Sequence, residues 1–444
     1  MEIPEKSAPA ALMINPPVYD FAFYDLYSKP YGLLKIARWL KNGGYRIRFV
    51  NALDCSDEIS LRRFGSLRRK KDGTGKIFRE IIEKPELLKE IPRSYSRYGI
   101  EKSSLEQQIG NCSPDIIFIT TSMTYWYPGV RETAELCRRI HPGIPLVMGG
   151  VYASLLTGHC RRTCGPDFIV EGDGWPEISR ILEKLRLPVP ALPPEEKYLL
   201  LPETNLDAVV LRLNEGCPFR CHYCASKALS SRFVPGDPEE TFSFVEEACA
   251  LGTRNFAFYD DALLINKEKV FLPFLERVIR SGRKLSFYVP NALHIRHLDP
   301  ETLSLMRKAG FKEIRMGYES SDSEFQEKSD HKFSEDQFRG VMAALKKSGF
   351  DKKEAAVYIL AGLPGQRREE TEKSILTAQE AGAFCRIALY SPIPGTELWK
   401  KSLSLSRYPL SEEPLFQNNT LFPMEWEGFT RQDLERLKQL CLVQ

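Results

Sequence analysis

Apolar and polar positions along the chain change period again and again. Short apolar runs at 11–14, 115–121, 145–148 and 168–170 are separated by stretches with helical spacing at 31–41, 130–140 and 176–185. Leu33, Leu34, Ala37 and Leu40 share one helical face, and Gly43-Gly44 stops that helix. Residues 45–51 alternate as a strand, whereas 115–121 (DIIFITT) is apolar on both faces, as a central parallel strand must be. This alternation predicts an α/β fold, a doubly wound, Rossmann-like parallel sheet over residues 1–186. A charged stretch at about 56–110, with RRKK at 68–71, interrupts it. It reads as a helical insertion or mobile excursion with a solvated face.

Pro188, Pro190, Pro193, Pro194 and Pro202 then exclude a regular helix or central strand, so an interdomain linker is placed at 187–204. Beyond it, strand-then-helix repeats six times. Strands are expected near 208–213, 255–259, 285–289, 313–316, 355–360 and 385–389. Asp237-Pro238, a capping residue followed by proline, opens the first of the helices between them. Six units are too few to close an eight-stranded barrel. They predict a (β/α)6 partial TIM barrel over 205–399, with its site at the carboxyl ends of the strands. The tail, 400–444, carries Phe416, Phe422, Trp426 and Phe429 and a helical pattern at 433–442. It is expected to cover the open side of the barrel.

Composition narrows the function. Sixty-two Lys and Arg oppose 59 Asp and Glu, a formal charge of +3, which argues against a general nucleic-acid binder. No window approaches a membrane span, and the first residues lack the basic start and apolar run of a signal peptide. The expectation is a cytoplasmic protein whose 11 cysteines are thiols or metal ligands.

Three of those cysteines decide the chemistry. Asn214-Glu-Gly-Cys217-Pro-Phe-Arg-Cys221-His-Tyr-Cys224 follows the first barrel strand directly, with spacing C-x3-C-x2-C. Three thiolates can hold three irons of a [4Fe-4S] cubane and leave the fourth open. An amino acid's amino and carboxylate groups can then chelate that iron and bring a sulfonium beside the cluster. Two other readings compete: zinc held by the cysteines with His222 or water, and unliganded core thiols.

The loop resembles the cluster motif of radical S-adenosylmethionine (SAM) enzymes, Tyr223 before the third cysteine included. The resemblance covers about 205–400 and implies a [4Fe-4S] cluster on Cys217, Cys221 and Cys224, reductive cleavage of SAM, and a 5'-deoxyadenosyl radical. It implies SAM contacts at Tyr223, at Asp260 and Asp261 after the second strand, and at Glu319 and Ser320 after the fourth. Gly362-Leu-Pro364-Gly365 after the fifth and Pro394-Gly395 after the sixth look like the segments that sandwich adenine. Each segment alone also makes an ordinary turn, and Glu319 alone could be a surface or salt-bridge residue.

The first half resembles the cobalamin-binding domain of the same superfamily. Asn15-Pro16-Pro17, the stretch 120–129, Gly149-Gly150 with Ser154, and Gly172-Asp173-Gly174 stand where a doubly wound sheet binds ligand. Small residues there would let a corrin tail lie against backbone. The histidine-bearing D-x-H-x-x-G pattern is absent, so Tyr125, Trp126 or Tyr127 is expected at the lower face; the competing reading is a sheet that has lost the cofactor. Cys55, Cys112, Cys137, Cys160 and Cys164 do not form the second three-cysteine site of methylthiotransferases and are read as incidental thiols. The resemblance implies cobalamin-dependent methylation of an unactivated carbon. Alternatives are radical rearrangement or cyclisation, methylthiolation without cobalamin, or a non-catalytic metal or corrin binder. It also implies a small-molecule or peptide substrate and an electron donor such as flavodoxin or ferredoxin.

Overall fold

The computed structural model describes residues 8–172, 174–191, 197–230, 232–329 and 333–442; Asp173, Pro193 and Pro194 lie outside them. The chain divides into two compact units, Met1–Ala208 and Val209–Gln444. Among the described residues no helix is long and apolar enough to cross a membrane.

In the first unit, strands β1 (Ala10–Asn15), β2 (Val18–Asp20), β3 (Arg46–Asn51), β4 (Arg79–Ile81), β5 (Ser96–Tyr98), β6 (Ile116–Thr121), β7 (Leu146–Gly150) and β8 (Phe168–Val170) form two sheets. The larger is parallel throughout, in the order β3-β1-β6-β7-β8. That order reverses between β1 and β6, which makes the carboxyl ends of these strands the natural ligand-binding edge. Helices Tyr31–Asn42, Tyr127–Ile140 and Trp175–Lys184 bury apolar faces. The Tyr127–Ile140 helix lies so close to the chain after β1 that a Cβ on Gly129 would collide with the Pro17 carbonyl.

The charged excursion differs from its sequence reading. It does hold helices Glu58–Phe64 and Lys102–Gly110, but its centre builds an antiparallel sheet, β2-β5-β4. Val18, Ile77 and Tyr98 form a small core there. Within the basic run, Arg69 is drawn inside by an ion pair to Asp25 at 2.6 Å and also reaches the Cys55 sulfur. Clustered charge hid these few apolar anchors, because three-residue strands are too short to show a period.

The second unit holds β9 (Ala208–Leu211), β10 (Asn214–Glu215), β11 (Val234–Pro235), β12 (Asn255–Phe258), β13 (Ser286–Tyr288), β14 (Ile314–Glu319), β15 (Ala355–Ala361) and β16 (Phe384–Leu389). The strands lie in the orders β9-β12-β13 and β14-β15-β16, with β12-β13, β14-β15 and β15-β16 paired parallel. Bridges Phe287–Phe311 and Leu293–Met316 join the two triplets. A helix follows each of these six strands, giving the six-unit architecture. Asp237 caps the first, accepting from the Glu239 and Glu240 N–H groups with Pro238 inside the first turn. Phe256, Phe258, Phe271, Phe274, Phe287 and Phe311 stack between sheet and helices.

The tail is part of this core. Leu410 and Met424 pack with Phe325, Leu360, Leu363 and Tyr390, and Tyr223, Tyr408 and Phe416 lie against the same group. Helix Arg431–Leu440 packs on helix Arg368–Glu380, where Gln379 donates to the Leu440 carbonyl.

Replacing Gly129 with Ala is expected to destabilise the first unit by about 1–3 kcal/mol, the usual cost of forcing an atom into filled space. A lower midpoint of urea unfolding, followed by fluorescence, checks it; an unchanged midpoint contradicts the close approach.

Candidate functional site

The cysteine loop is closed at its base before any cofactor is considered. β10 and β11 pair antiparallel, Asn214 with Pro235 and Glu215 with Val234. Asp260, buried just past β12, accepts from the Leu213 N–H at 3.0 Å and the Asn214 N–H at 2.6 Å. The Asn214 amide donates to the Leu263 carbonyl at 3.2 Å. Gly216 has φ +72°, and a Cβ there would strike the Arg232 carbonyl, so only glycine turns the chain into the loop.

Within the loop, Cys217 and Cys221 are half-buried and Cys224 is exposed. The Cys224 N–H closes a turn on the Cys221 carbonyl at 3.0 Å, and the Ser226 hydroxyl lies 3.2 Å from the Cys224 sulfur. Burial pushes the Cys217 thiol up to about 12, and Asp261 and the other two cysteines add to this. Burial likewise raises Asp261, while Arg212 and the Ser226 hydroxyl favour its anion. Such a thiol ionises readily only beside a cation, which suits a soft, polycationic metal group. Among the described residues no three His, Cys, Asp or Glu side chains converge to hold one metal ion. His222 turns aside, with Nδ1 3.1 Å from the Lys328 carbonyl. A cubane takes one thiolate per iron and needs no convergence on a point. The donor set fits a [4Fe-4S] cluster.

Around the loop, Tyr223 stacks on Phe325 at 5.8 Å. Its phenol is held far above the ordinary range, first by burial and then by Glu319 and the Cys221 and Cys224 sulfurs. Glu319 ends β14 at a bulge, buried, with φ +62°, a left-handed conformation that side chains rarely adopt. The Pro394-Gly395 turn comes to the helix after Cys224; a Cβ on Gly395 would lie 3.8 Å from Ala228. The Leu398 N–H donates to the His222 carbonyl at 3.0 Å. A cleft of about 430 Å³ then runs along His222, Ser320, Pro364 and Gly365, with Asp322, Glu370 and Lys401 on its polar side.

The structure thus sets Asp261 near Cys217, Glu319 near Tyr223 and Gly395 near Ala228, with Ser320, Pro364 and Gly365 along the cleft. Two residues are engaged otherwise. Asp260 is committed to backbone N–H groups, and Gly362 makes room for the Phe422 ring, which a Cβ would meet at 2.6 Å. One neighbour had no sequence signal: His294, after β13, stacks on Phe219 between the first two cysteines, ring centroids 4.0 Å apart.

The first unit has its own cleft of about 140 Å³ at the carboxyl edge of the large sheet. Gly149, Gly150, Gly172 and Gly174 line it with Gly32, Thr120, Val170 and Ile178. A Cβ on Gly150, at φ +105°, would meet the Thr121 carbonyl. Ser154 holds the rim, its hydroxyl accepting from the Gly172 N–H at 3.2 Å. Glycine and aliphatic walls of this kind fit a flat, apolar ring tail such as a corrin's nucleotide base. The three aromatics are not among the cleft's lining. Trp126 donates its indole N–H to Asp20 at 2.7 Å. Tyr127 packs against His159 at 4.8 Å, and Tyr125 is buried, its phenol raised by that burial and by Asp20.

Comparison with known proteins follows the same division. Residues 211–378 match the Radical SAM superfamily. The chain is 23% identical over 375 residues to an uncharacterized methyltransferase of Pyrococcus horikoshii, covering 74% of this chain and 76% of that protein. Its fold is similar to the radical S-adenosylmethionine methyltransferase TsrM of Kitasatospora setae. The structure of that protein with cobalamin and a [4Fe-4S] cluster bound matches with TM-score 0.67 and 14% identity, over 90% of this chain and 80% of that one. The structure with tryptophan substrate and a SAM analogue matches with TM-score 0.68, over 97% and 89%.

Burial raises the Asp260 carboxyl from 3.8 to about 7, against the Leu213 and Asn214 N–H groups and Arg212, which favour the anion. Between those values the folded chain keeps a proton that the unfolded chain has released, so stability falls as pH rises through that window. Asp260→Asn is expected to remove this part of the slope. Urea midpoints of both proteins at stepped pH test it, and parallel profiles would contradict it.

Proposed function

We propose that this chain, a member of the radical SAM superfamily through its residues 211–378, is a cobalamin-dependent methyltransferase acting on an unactivated carbon. The observation that carries the reading is that one chain presents a C-x3-C-x2-C loop after the first of six β/α units and a glycine-lined cleft at the carboxyl edge of a doubly wound sheet. The fold likeness to TsrM and the methyltransferase relative support it.

Cys217, Cys221 and Cys224 would hold the cluster. When bound, a cluster supplies one electron to the SAM sulfonium and a corrin supplies the methyl group. The chain's own residues position and shield. Asp260 fixes the entry to the loop. Tyr223, wedged on Phe325, gives the third cysteine's neighbourhood a rigid apolar wall. Asp261 and Glu319 offer carboxylates to the amino group of SAM, and Ser320, Pro364, Gly365, Pro394 and Gly395 would flank its adenosine. In the first unit Gly149, Gly150, Gly172 and Gly174 would admit the corrin tail, with Ser154 at the rim. A flavodoxin- or ferredoxin-type carrier in the cytoplasm is the proposed electron source.

Anaerobic, dithionite-reduced protein is expected to release 5'-deoxyadenosine, and Cys221→Ala to lose the cluster's visible absorbance and that product together. Retention of cluster by the variant would remove Cys221 from the donor set. Substrate product heavier by one methylene supports methylation; product of unchanged mass points to rearrangement instead. In the first unit, Gly149→Leu should weaken retention of hydroxocobalamin by about tenfold or more, a loss of at least about 1.4 kcal/mol, with unchanged far-ultraviolet circular dichroism. Equal retention would place the corrin elsewhere.

A further inference from the structure

We propose that the Ser226 hydroxyl sets how readily the cluster takes its electron, by dividing one proton between the Cys224 sulfur and the Asp261 carboxylate. This rests on the cluster reading above and adds a positioning residue that acts through the third cysteine.

The Ser226 hydroxyl lies 3.2 Å from the Cys224 sulfur, and the Ser226 N–H donates to the same sulfur at 3.5 Å. One residue thus brings two polar groups to one sulfur. A cysteine that ligates iron is a thiolate with no proton of its own, so across the 3.2 Å contact the hydroxyl is the donor. The same hydroxyl favours the anion of Asp261, which follows β12 and is close enough to Cys217 to help hold that thiol up. A serine carries a single O–H, so it serves one of its two acceptors at a time.

The other two sulfurs are served differently. Cys217 takes the Phe219 backbone N–H, a donor fixed by the chain. The Tyr223 phenol serves Cys221, and that ring is clamped by burial and by its stack on Phe325. Ser226 instead opens the short helix Ser226–Leu229, half-buried, and its hydroxyl turns about a single bond. Reduction adds negative charge to a cluster and its thiolates. A hydrogen bond to sulfur therefore stabilises the reduced state more than the oxidised one and raises the potential. Donation to Asp261 withdraws that help, so a cation that engages Asp261 turns the hydroxyl toward sulfur and eases reduction.

The test uses the full-length protein with its cluster reconstituted anaerobically, titrated against redox mediators and read by electron paramagnetic resonance of the reduced cluster. Ser226→Ala keeps the backbone donor and is expected to be about tenfold harder to reduce, a midpoint about 59 mV lower. Ser226→Thr should restore the wild-type midpoint. Equal midpoints for wild type and Ser226→Ala overturn the proposal, as does a drop that Ser226→Thr leaves in place. Division of the proton predicts that Asp261→Ala raises the midpoint more with Ser226 present than in the Ser226→Ala background. Equal rises in both backgrounds overturn it. If Ser226→Ala holds no cluster, the isosteric pair Ser226→Thr and Ser226→Val is compared. A lower midpoint or a lost cluster in the valine variant alone supports the hydroxyl; equal midpoints, or loss in both, overturn it. A wild type that forms no cubane overturns the cluster reading itself, and this inference with it.

Discussion

A single buried carboxylate determines where the cysteine loop begins. Asp260 takes the Leu213 and Asn214 N–H groups just as the chain leaves β9, before the first cysteine. These donors lie beyond the end of β9, and among the described residues β10 pairs with β11. Keeping an anion inside is costly, which is why burial moves this carboxyl so far up. The consequence is a loop whose entry is fixed by the sheet and whose middle is held by Leu398 at the His222 carbonyl. Everything that gathers around it, Tyr223 on Phe325, Glu319 at its bulge and the Pro394-Gly395 turn beside Ala228, takes its place from that entry point.

The two candidate sites obey the same rule by different means. Parallel strands place their carboxyl ends along one edge, where loops and helix starts converge. In the second unit that edge is furnished with sulfur, carboxylate and aromatic groups. In the first it is emptied, with glycine at five positions of one small cleft. A reactive metal group calls for donors and shielding, whereas a flat ring tail calls for space without side chains.

Much of this was legible along the chain. The alternation of apolar runs and helical stretches gave the sheet and the six units. The C-x3-C-x2-C spacing identified the loop, because ligand spacing in one turn is a local property. What stayed hidden was every feature set by distant partners. Gly362 carries the same pattern as a ligand-facing turn, yet its missing side chain serves Phe422, sixty residues later. Trp126 looked available until Asp20, a residue of another sheet, took its N–H. His294 gave no signal because stacking on Phe219 depends on how two loops meet. The 56–110 segment was misjudged at its centre for the same reason, since Arg69 reads as a surface charge and is drawn inside through Asp25 and Cys55.

The packing of the tail has a consequence for how the protein matures. Leu410 and Met424 complete the apolar group against which Tyr223 rests, and Phe422 fills the space over Gly362. Until those residues have left the ribosome, the wall beside the third cysteine is missing one side, although all three thiols were synthesised some two hundred residues earlier. Iron delivered to the nascent chain would meet a loop without its backing, so loading belongs after translation, when the last segment has folded down.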